Sequence, residues 1–438
     1  MVHSRQRLRR AAGLALMLAI VLAAWSPTLR ALAGLPDRIR LTAEDAGRFD
    51  LHLPPGATLT ADRPGVLAVN GTDPGLAATH LDAGQPLALQ SLAPGEASLE
   101  VRLFGILPLR RLSVEVVAPL RLIPGGHSIG VLLRSRGVLV VGYAAVRDGS
   151  GQAQQPGRAA GIEPGDAILS IGGEPVTGEE QAGTLIQRLG EQGGALGVEV
   201  RRRGHMAVHQ VTPVKDGSGR WRLGLYIRDG AAGVGTLTFF DPATRRYGAL
   251  GHVIAEGHTG QAIDVREGQI VAASIASIDK GQPGVPGEKV GVFVDSDRSL
   301  GSIERNTRVG IFGNMRQVLT NPFFPQPIPV GLSAMVYEGP AEIITVTRGQ
   351  KLERYQIRIL RVVRSPQPDG KNLVIKITDP RLLSETRGIV QGMSGSPIIQ
   401  DGHLVGAVTH VFVNDPTRGY GVLLEQMLAE AGLITPAA

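Results

Sequence analysis

Short apolar runs separated by Gly, Pro and Asp turns make up most of the chain beyond residue 35. In residues 36–120 several of these runs alternate apolar and polar positions with period two, over 38–42, 65–69, 97–103 and 112–117. That period belongs to strands with one buried face, so the segment predicts a small β-sandwich-like domain. Two stretches break the pattern. Residues 11–25 (AAGLALMLAIVLAAW) show no polar face and follow Arg5, Arg7, Arg9 and Arg10. The run is shorter than the ~20 residues of a spanning helix. With the small-x-small sequence Ala31-Leu32-Ala33 behind it, residues 1–33 predict an export signal peptide or membrane anchor. The second stretch is helical: Ala182, Leu185, Ile186 and Leu189 form one apolar stripe behind a capping box of Thr177 and Glu180.

That helix sits in a unit over 121–216. The unit opens with Pro124-Gly125-Gly126-His127-Ser128-Ile129-Gly130-Val131, a Gly-rich loop entering a strand, and a second strand follows over 137–143. A Pro164-Gly165-Asp166 turn then launches an apolar strand that ends at Gly172-Gly173. The motif A-G-I-x-x-G-D-x-I-x-x-I-x-G over 160–173, in this order of elements, resembles a PDZ domain of the kind found in bacterial envelope proteases. The resemblance implies that Ser128, Ile129, Gly130 and Val131 form the loop whose amides receive a peptide carboxylate. The peptide, for which a segment of the chain itself is one candidate, would add as a strand beside helix 177–192.

Composition narrows the chemistry. The chain has 438 residues, 59 Gly and 29 Pro but no Cys, which removes disulfides, thiolate metal sites and a cysteine nucleophile. The net charge of +6 invites a nucleic-acid reading. Five arginines lie in residues 1–33 with no acidic residue, leaving 40 basic residues against 39 acidic ones elsewhere, a net of +1. The basic balance therefore belongs to the export segment. Arg201-Arg202-Arg203 is a short run at a strand end, a solvated face rather than a nucleic-acid groove. No H-E-x-x-H occurs, and His252 and His258 are off register for one metal, so neither metal nor cofactor is expected.

Residues 217–438 carry the sharpest signal, Gln391-Gly392-Met393-Ser394-Gly395-Ser396-Pro397. A serine between glycines can sit on a tight turn with its hydroxyl exposed, and the Gly392 and Ser394 amides can converge as an oxyanion hole. An apolar strand over 397–400, an Asp401-Gly402 hairpin turn and a returning strand over 404–413 follow. That order resembles the surroundings of the nucleophile in chymotrypsin-like proteases, whose G-D-S-G-G-P stands here as G-M-S-G-S-P. The flanking glycines and Pro397 favour Ser394 over Ser396. A serine nucleophile needs a base within hydrogen-bond reach. His252, after Gly248-Ala249-Leu250-Gly251, has small neighbours that leave room for the ring; His258 reads as a loop residue and His410 as part of a substrate-pairing strand. For the orienting carboxylate, spacing does not choose among Asp264, Asp279, Asp295, Asp297, Asp379 and Asp415.

The combination of P-G-G-x-S-I-G-V, Y-G-A-L-G-H-V-I, I-T-D-P and V-Q-G-M-S-G-S-P-I-I-Q resembles the stage IV sporulation protein B peptidases of endospore-forming bacteria. The resemblance implies a mainly β chain: an N-terminal export or anchor helix, a small β-sandwich-like domain, a PDZ domain and a chymotrypsin-like double β-barrel peptidase domain. It implies a triad of His252, Asp379 and Ser394, in which Asp379, 15 residues before Ser394, comes from the serine-bearing barrel. It further implies a protein substrate, the regulatory subunit of an intramembrane metalloprotease complex, self-cleavage, and action at a membrane surface between forespore and mother cell. A PDZ scaffold carrying a degenerate protease domain is the competing reading.

Overall fold

The computed structural model describes residue 17 and residues 38–435 except 44–45, 50–55, 82–86, 258–259, 296–297, 366 and 368. The expected export segment, apart from Met17, and two of the candidate residues, His258 and Asp297, lie outside the described residues. Among the described residues no helix is long and apolar enough to cross a membrane.

The N-terminal part is two sheets packed face to face. One has the strand order Arg38–Thr42, Leu107–Val117, Gly95–Leu103, Ala57–Ala61, Thr79–His80, and the other the order Ala46–Phe49, Leu87–Ser91, Leu67–Val69. The period-two pattern does its expected work: Ala97, Leu99 and Val101 point inward beside Leu41, Leu59, Leu89 and Val114. The sandwich is tied to the chain's last helix, Leu424–Glu430, by Arg40, which is buried and bridges Glu115 and Glu425.

The next two bodies share strands. Ser128–Tyr143 is a single strand, not the two expected, and Leu225–Phe240 runs antiparallel to it. Their register breaks between Arg134 and Leu139. At that break Gly137 has φ +83 and lies so close to the Ile168 carbonyl that a Cβ would stand 2.2 Å away, which excludes any other residue. Before the break, residues 129–134 pair with Val265–Asp279 as well, in a half-barrel that continues through Arg246–Ala249 and Gly310–Asn314. After it, Leu139 pairs with Ala167–Ile171, which leads to Leu196–Arg202 and His205–Val211. The helix Glu179–Gln192 covers this second sheet, burying Ala182 and Leu185. Its cap differs from the expected box: Gly178 is the N-cap, and Gln181 reaches back to the Thr177 amide and hydroxyl at 2.8 and 2.6 Å. The units expected over 121–216 and 217–438 therefore share strands and are not independent.

The last body is a closed barrel of six strands, Gly339–Val346, Leu352–Val362, Leu373–Ile377, Asp415–Leu423, His403–Phe412 and Pro397–Gln400. Closure leaves no free edge. The peptidase part is thus one closed barrel and one half-barrel, with the Ser394 loop between them.

Candidate active site

Three features place the Ser394 loop. Thr236 and Thr238, fully buried on the half-barrel strand, donate their hydroxyls to the Gly392 and Gly395 carbonyls, each at 2.8 Å. The Thr236 amide adds a bond to the Ser394 carbonyl at 3.0 Å. Gly395 has φ +93, and a Cβ there would stand 2.0 Å from the Thr236 carbonyl, so only glycine lets the barrels close on one another. Met393 anchors the loop by full burial in the closed barrel's core. Ser396 is fully buried with its hydroxyl spent on the Met393 carbonyl at 2.7 Å. Ser394 is left at the surface of a cleft of about 760 Å³ between the half-barrel and the closed barrel.

His252 reaches the same cleft from the half-barrel. It follows Arg246–Ala249 through Leu250 and Gly251, both left-handed at φ +69 and +72. A Cβ on Gly251 would meet the Thr409 methyl at 2.9 Å, so glycine allows this turn to lie against His403–Phe412. The His252 ring faces His410 with 5.0 Å between centroids. Its Nδ1 lies 2.8 Å from the Val253 carbonyl, which puts the proton on Nδ1 and leaves Nε2 as an acceptor. Burial holds the His252 pKa below that of a free imidazole, keeping the ring neutral. Burial, and then the neighbouring His252, push His410 down to about 4.

The Ser394 hydroxyl donates to the Thr409 carbonyl at 2.6 Å rather than to His252. Among the described residues the Gly392 and Ser394 amides donate to no protein acceptor, as an oxyanion hole requires.

The structure does not bring Asp379 to His252. Its carboxylate caps the helix Pro380–Thr386 through the Arg381 amide at 2.9 Å and pairs with the Arg381 guanidinium at 3.1 and 2.8 Å. The Gln356 amide takes a further position at 3.2 Å. These bonds, the Arg381 side chain first, hold the carboxyl below its usual pKa and leave it committed to the rim of the closed barrel. Asp264 pairs with Arg201 at 2.7 Å, Asp415 accepts from Thr417, and neither they nor Asp279 and Asp295 line the cleft. The acidic residues that do are Glu256 and Glu288.

Lys289 was not singled out from the sequence, and its position is unusual. It is 2% exposed, its stem packs on Gly392, and its amine donates to Thr345 Oγ1 at 2.7 Å. No carboxylate pairs with it among the described residues, and burial pushes its pKa down to about 7. Its backbone amide donates to the Gln391 carbonyl, joining the half-barrel to the nucleophile loop. A lysine inside G-E-K-V-G-V-F reads as a strand-edge charge, and only the tertiary pairing reveals its burial.

The peptide-binding expectation needs correction. Ile129, Gly130 and Val131 are paired on both sides, to 233–235 and to 270–272, Ser128 pairs with Thr236, and all four are buried in the half-barrel. They offer no free edge to a peptide. The open groove, about 1240 Å³, runs instead between Glu179–Gln192 and residues 216–227. Leu223-Gly224-Leu225-Tyr226 turns into it, with Gly224 at φ +69. That apolar-Gly-apolar entry into a strand was the legible signal, masked by the similar loop at 124–131.

Comparison with known proteins agrees with this division. Residues 219–428 match the model of SpoIVB peptidase S55, and residues 147–202 match a PDZ domain. Two provisionally named zinc metalloproteases from strains of Xylella fastidiosa are 32% identical over 101 and 92 residues, 23% and 21% of this chain. The chain spans about a fifth of the length of these curated relatives. The active form of the Rv3671c protease from M. tuberculosis aligns at 17% identity over 48% of this chain and 78% of its own, with a TM-score of 0.28. Human heparin binding protein aligns at 11% identity over 46% of this chain and 86% of its own, with a TM-score of 0.25. Likenesses this low add no weight of their own. The matched segment holds both His252 and the Ser394 loop, so residues 219–428 are similar to SpoIVB peptidase S55, and the PDZ match falls on the sheet joined to the half-barrel.

Proposed function

We propose that the chain is a serine endopeptidase whose working pair is Ser394 and His252. The reading rests on one observation: the two residues, from different bodies, face one cleft beside two uncommitted amides. Rotation of the Ser394 side chain away from the Thr409 carbonyl frees its hydroxyl. Ser394 Oγ then attacks the scissile carbonyl carbon while its proton passes to His252 Nε2, and the Gly392 and Ser394 amides take the oxyanion. His252 returns the proton to the departing amine, and water repeats the sequence to release the acyl group. The Val253 carbonyl does what a triad carboxylate does for the tautomer, without its charge. Residues 409–411 pair with substrate backbone, and the groove along Glu179–Gln192 takes a peptide.

The family match supports a sporulation role, and the basic and apolar run of residues 5–25 is the ground for an exported or membrane-tethered enzyme. The proposed substrate is a membrane-associated regulator of an intramembrane protease, with cleavage of the chain itself as a second event. The scaffold reading is favoured by one fact, the Ser394 proton resting on Thr409 instead of His252. A serine-directed fluorophosphonate separates the two. Covalent labelling is expected in the native chain and in Asp379→Asn, and its loss in Ser394→Ala and His252→Ala, where turnover falls by about 10⁶-fold. Folded native chain that never takes the label establishes the scaffold, and equal loss in Asp379→Asn restores the carboxylate to the site.

A further inference from the structure

Residues 103–109 read Leu-Phe-Gly-Ile-Leu-Pro-Leu, without one polar side chain. They form the apex of the hairpin joining Gly95–Leu103 to Leu107–Val117 in the N-terminal sandwich, apart from the cleft and the groove. Phe104, Ile106 and Leu107 are 71%, 84% and 57% exposed. Lower in the same hairpin, apolar and polar residues alternate normally, with Ala97, Leu99 and Val101 inside. Leu109 packs against the sandwich core, but residues 104–108 extend beyond it, where a run of exposed apolar residues has no packing reason to exist.

Its backbone is also costly. Phe104 at φ +52 and Gly105 at φ +71, with the Ile106 amide donating to the Leu103 carbonyl at 3.1 Å, make a type I′ turn. The first central position favours Asn, Asp or Gly, and a phenylalanine there is strained. The ring is accommodated because residue 56 is glycine: a Cβ there would stand 2.7 Å from it. One ring face therefore lies on backbone and the rest is offered outward.

Below the apex two arginines, Arg102 and Arg111, flank the carboxylate of Glu100, which Arg102 meets at 2.7 Å and Arg111 at 4.0 Å. A convex apolar tip on a cationic collar suits a bilayer, which needs no matching concavity, better than a protein surface, which does. We infer that the 103–109 apex is a membrane-contact element. It places Phe104, Ile106 and Leu107 among the acyl chains of an anionic bilayer and keeps the arginines at headgroup level. It is a second contact beside the segment expected at 1–33, and it sets the height and tilt of the sandwich over the membrane.

The absence of cysteine makes the test direct. In the full chain, Ile106→Cys carries an environment-sensitive fluorophore, and Gln152→Cys, exposed in the PDZ part, serves as reference. With phosphatidylglycerol vesicles the label at 106 is expected to shift to the blue and to be quenched by lipid-borne quenchers, while the label at 152 is not. Pure phosphatidylcholine should give a weaker response. Adding Phe104→Ser and Leu107→Ser should raise the lipid needed for half of the shift by roughly ten- to a hundredfold. A label at 106 that stays in water on vesicles to which the chain is bound overturns the inference. So does a shift that grows with protein concentration without lipid, which would assign the apex to a second copy.

Discussion

Lys289 is the most demanding side chain in the molecule. A fully buried amine with one hydroxyl partner is expensive to charge, and its pKa of about 7 compares with 10.5 for a free lysine. Between those values the unfolded chain holds a proton that the folded chain has released, so stability rises with pH across this window. Below it the folded chain must carry a buried ammonium under Gly392 at full cost. Lys289→Met keeps the stem against Gly392 and removes the titration. Chemical denaturation between pH 7 and 10.5 should then lose a slope of roughly 1 kcal/mol per pH unit. An unchanged slope would mean that water reaches the amine. Residues like this explain what the sequence hides. Ser394 and His252 announce themselves by small neighbours, a local property. Asp379-Pro380 looks equally eligible, because a helix N-cap followed by proline and a triad carboxylate share the same local signature.

At the level of elements, local pattern decided much. Leu373–Ile377, Pro397–Gln400 and the Asp401-Gly402 turn stand where alternation and turn chemistry put them. The error lay at Ser135 to Gly137, where a Gly-bearing bulge inside one sixteen-residue strand imitates a loop between two. The same strand pair supplies the clamp on the nucleophile loop, which no local pattern displays because Thr236 and Gly392 are 156 residues apart. Thr236→Val preserves volume and deletes one hydroxyl bond to that loop, at about 1–3 kcal/mol for an acceptor left unpaired in the interior. The expected result is a kcat lower by about tenfold or more with KM held, since the amides lose their aim and the cleft keeps its walls. Unchanged kcat would show that the Thr236 amide and Met393 fix the loop unaided.

For the molecule as a whole, the sequence suggested separable beads and the fold supplies a graft. Residues 121–135 belong to the half-barrel that carries His252, although they precede the PDZ part. Excising 121–216 as a module should therefore abolish soluble, fluorophosphonate-reactive protein, read by labelling and by loss of a cooperative thermal transition. A stable, reactive remainder would mean that the half-barrel closes by another pairing.

The strand Leu225–Phe240 borders the groove along Glu179–Gln192 at one end and presents Thr236 and Thr238 to the Ser394 loop further along. From Ile227 to Thr236 is about 30 Å of continuous extended backbone, with no linker in which a disturbance could be absorbed. The two sites are fastened to a common beam. A guest in the groove that altered the twist of one end would work against the other, and by reciprocity strain set at the loop would be felt in the groove. The strand is a single elastic member with a cavity at each end.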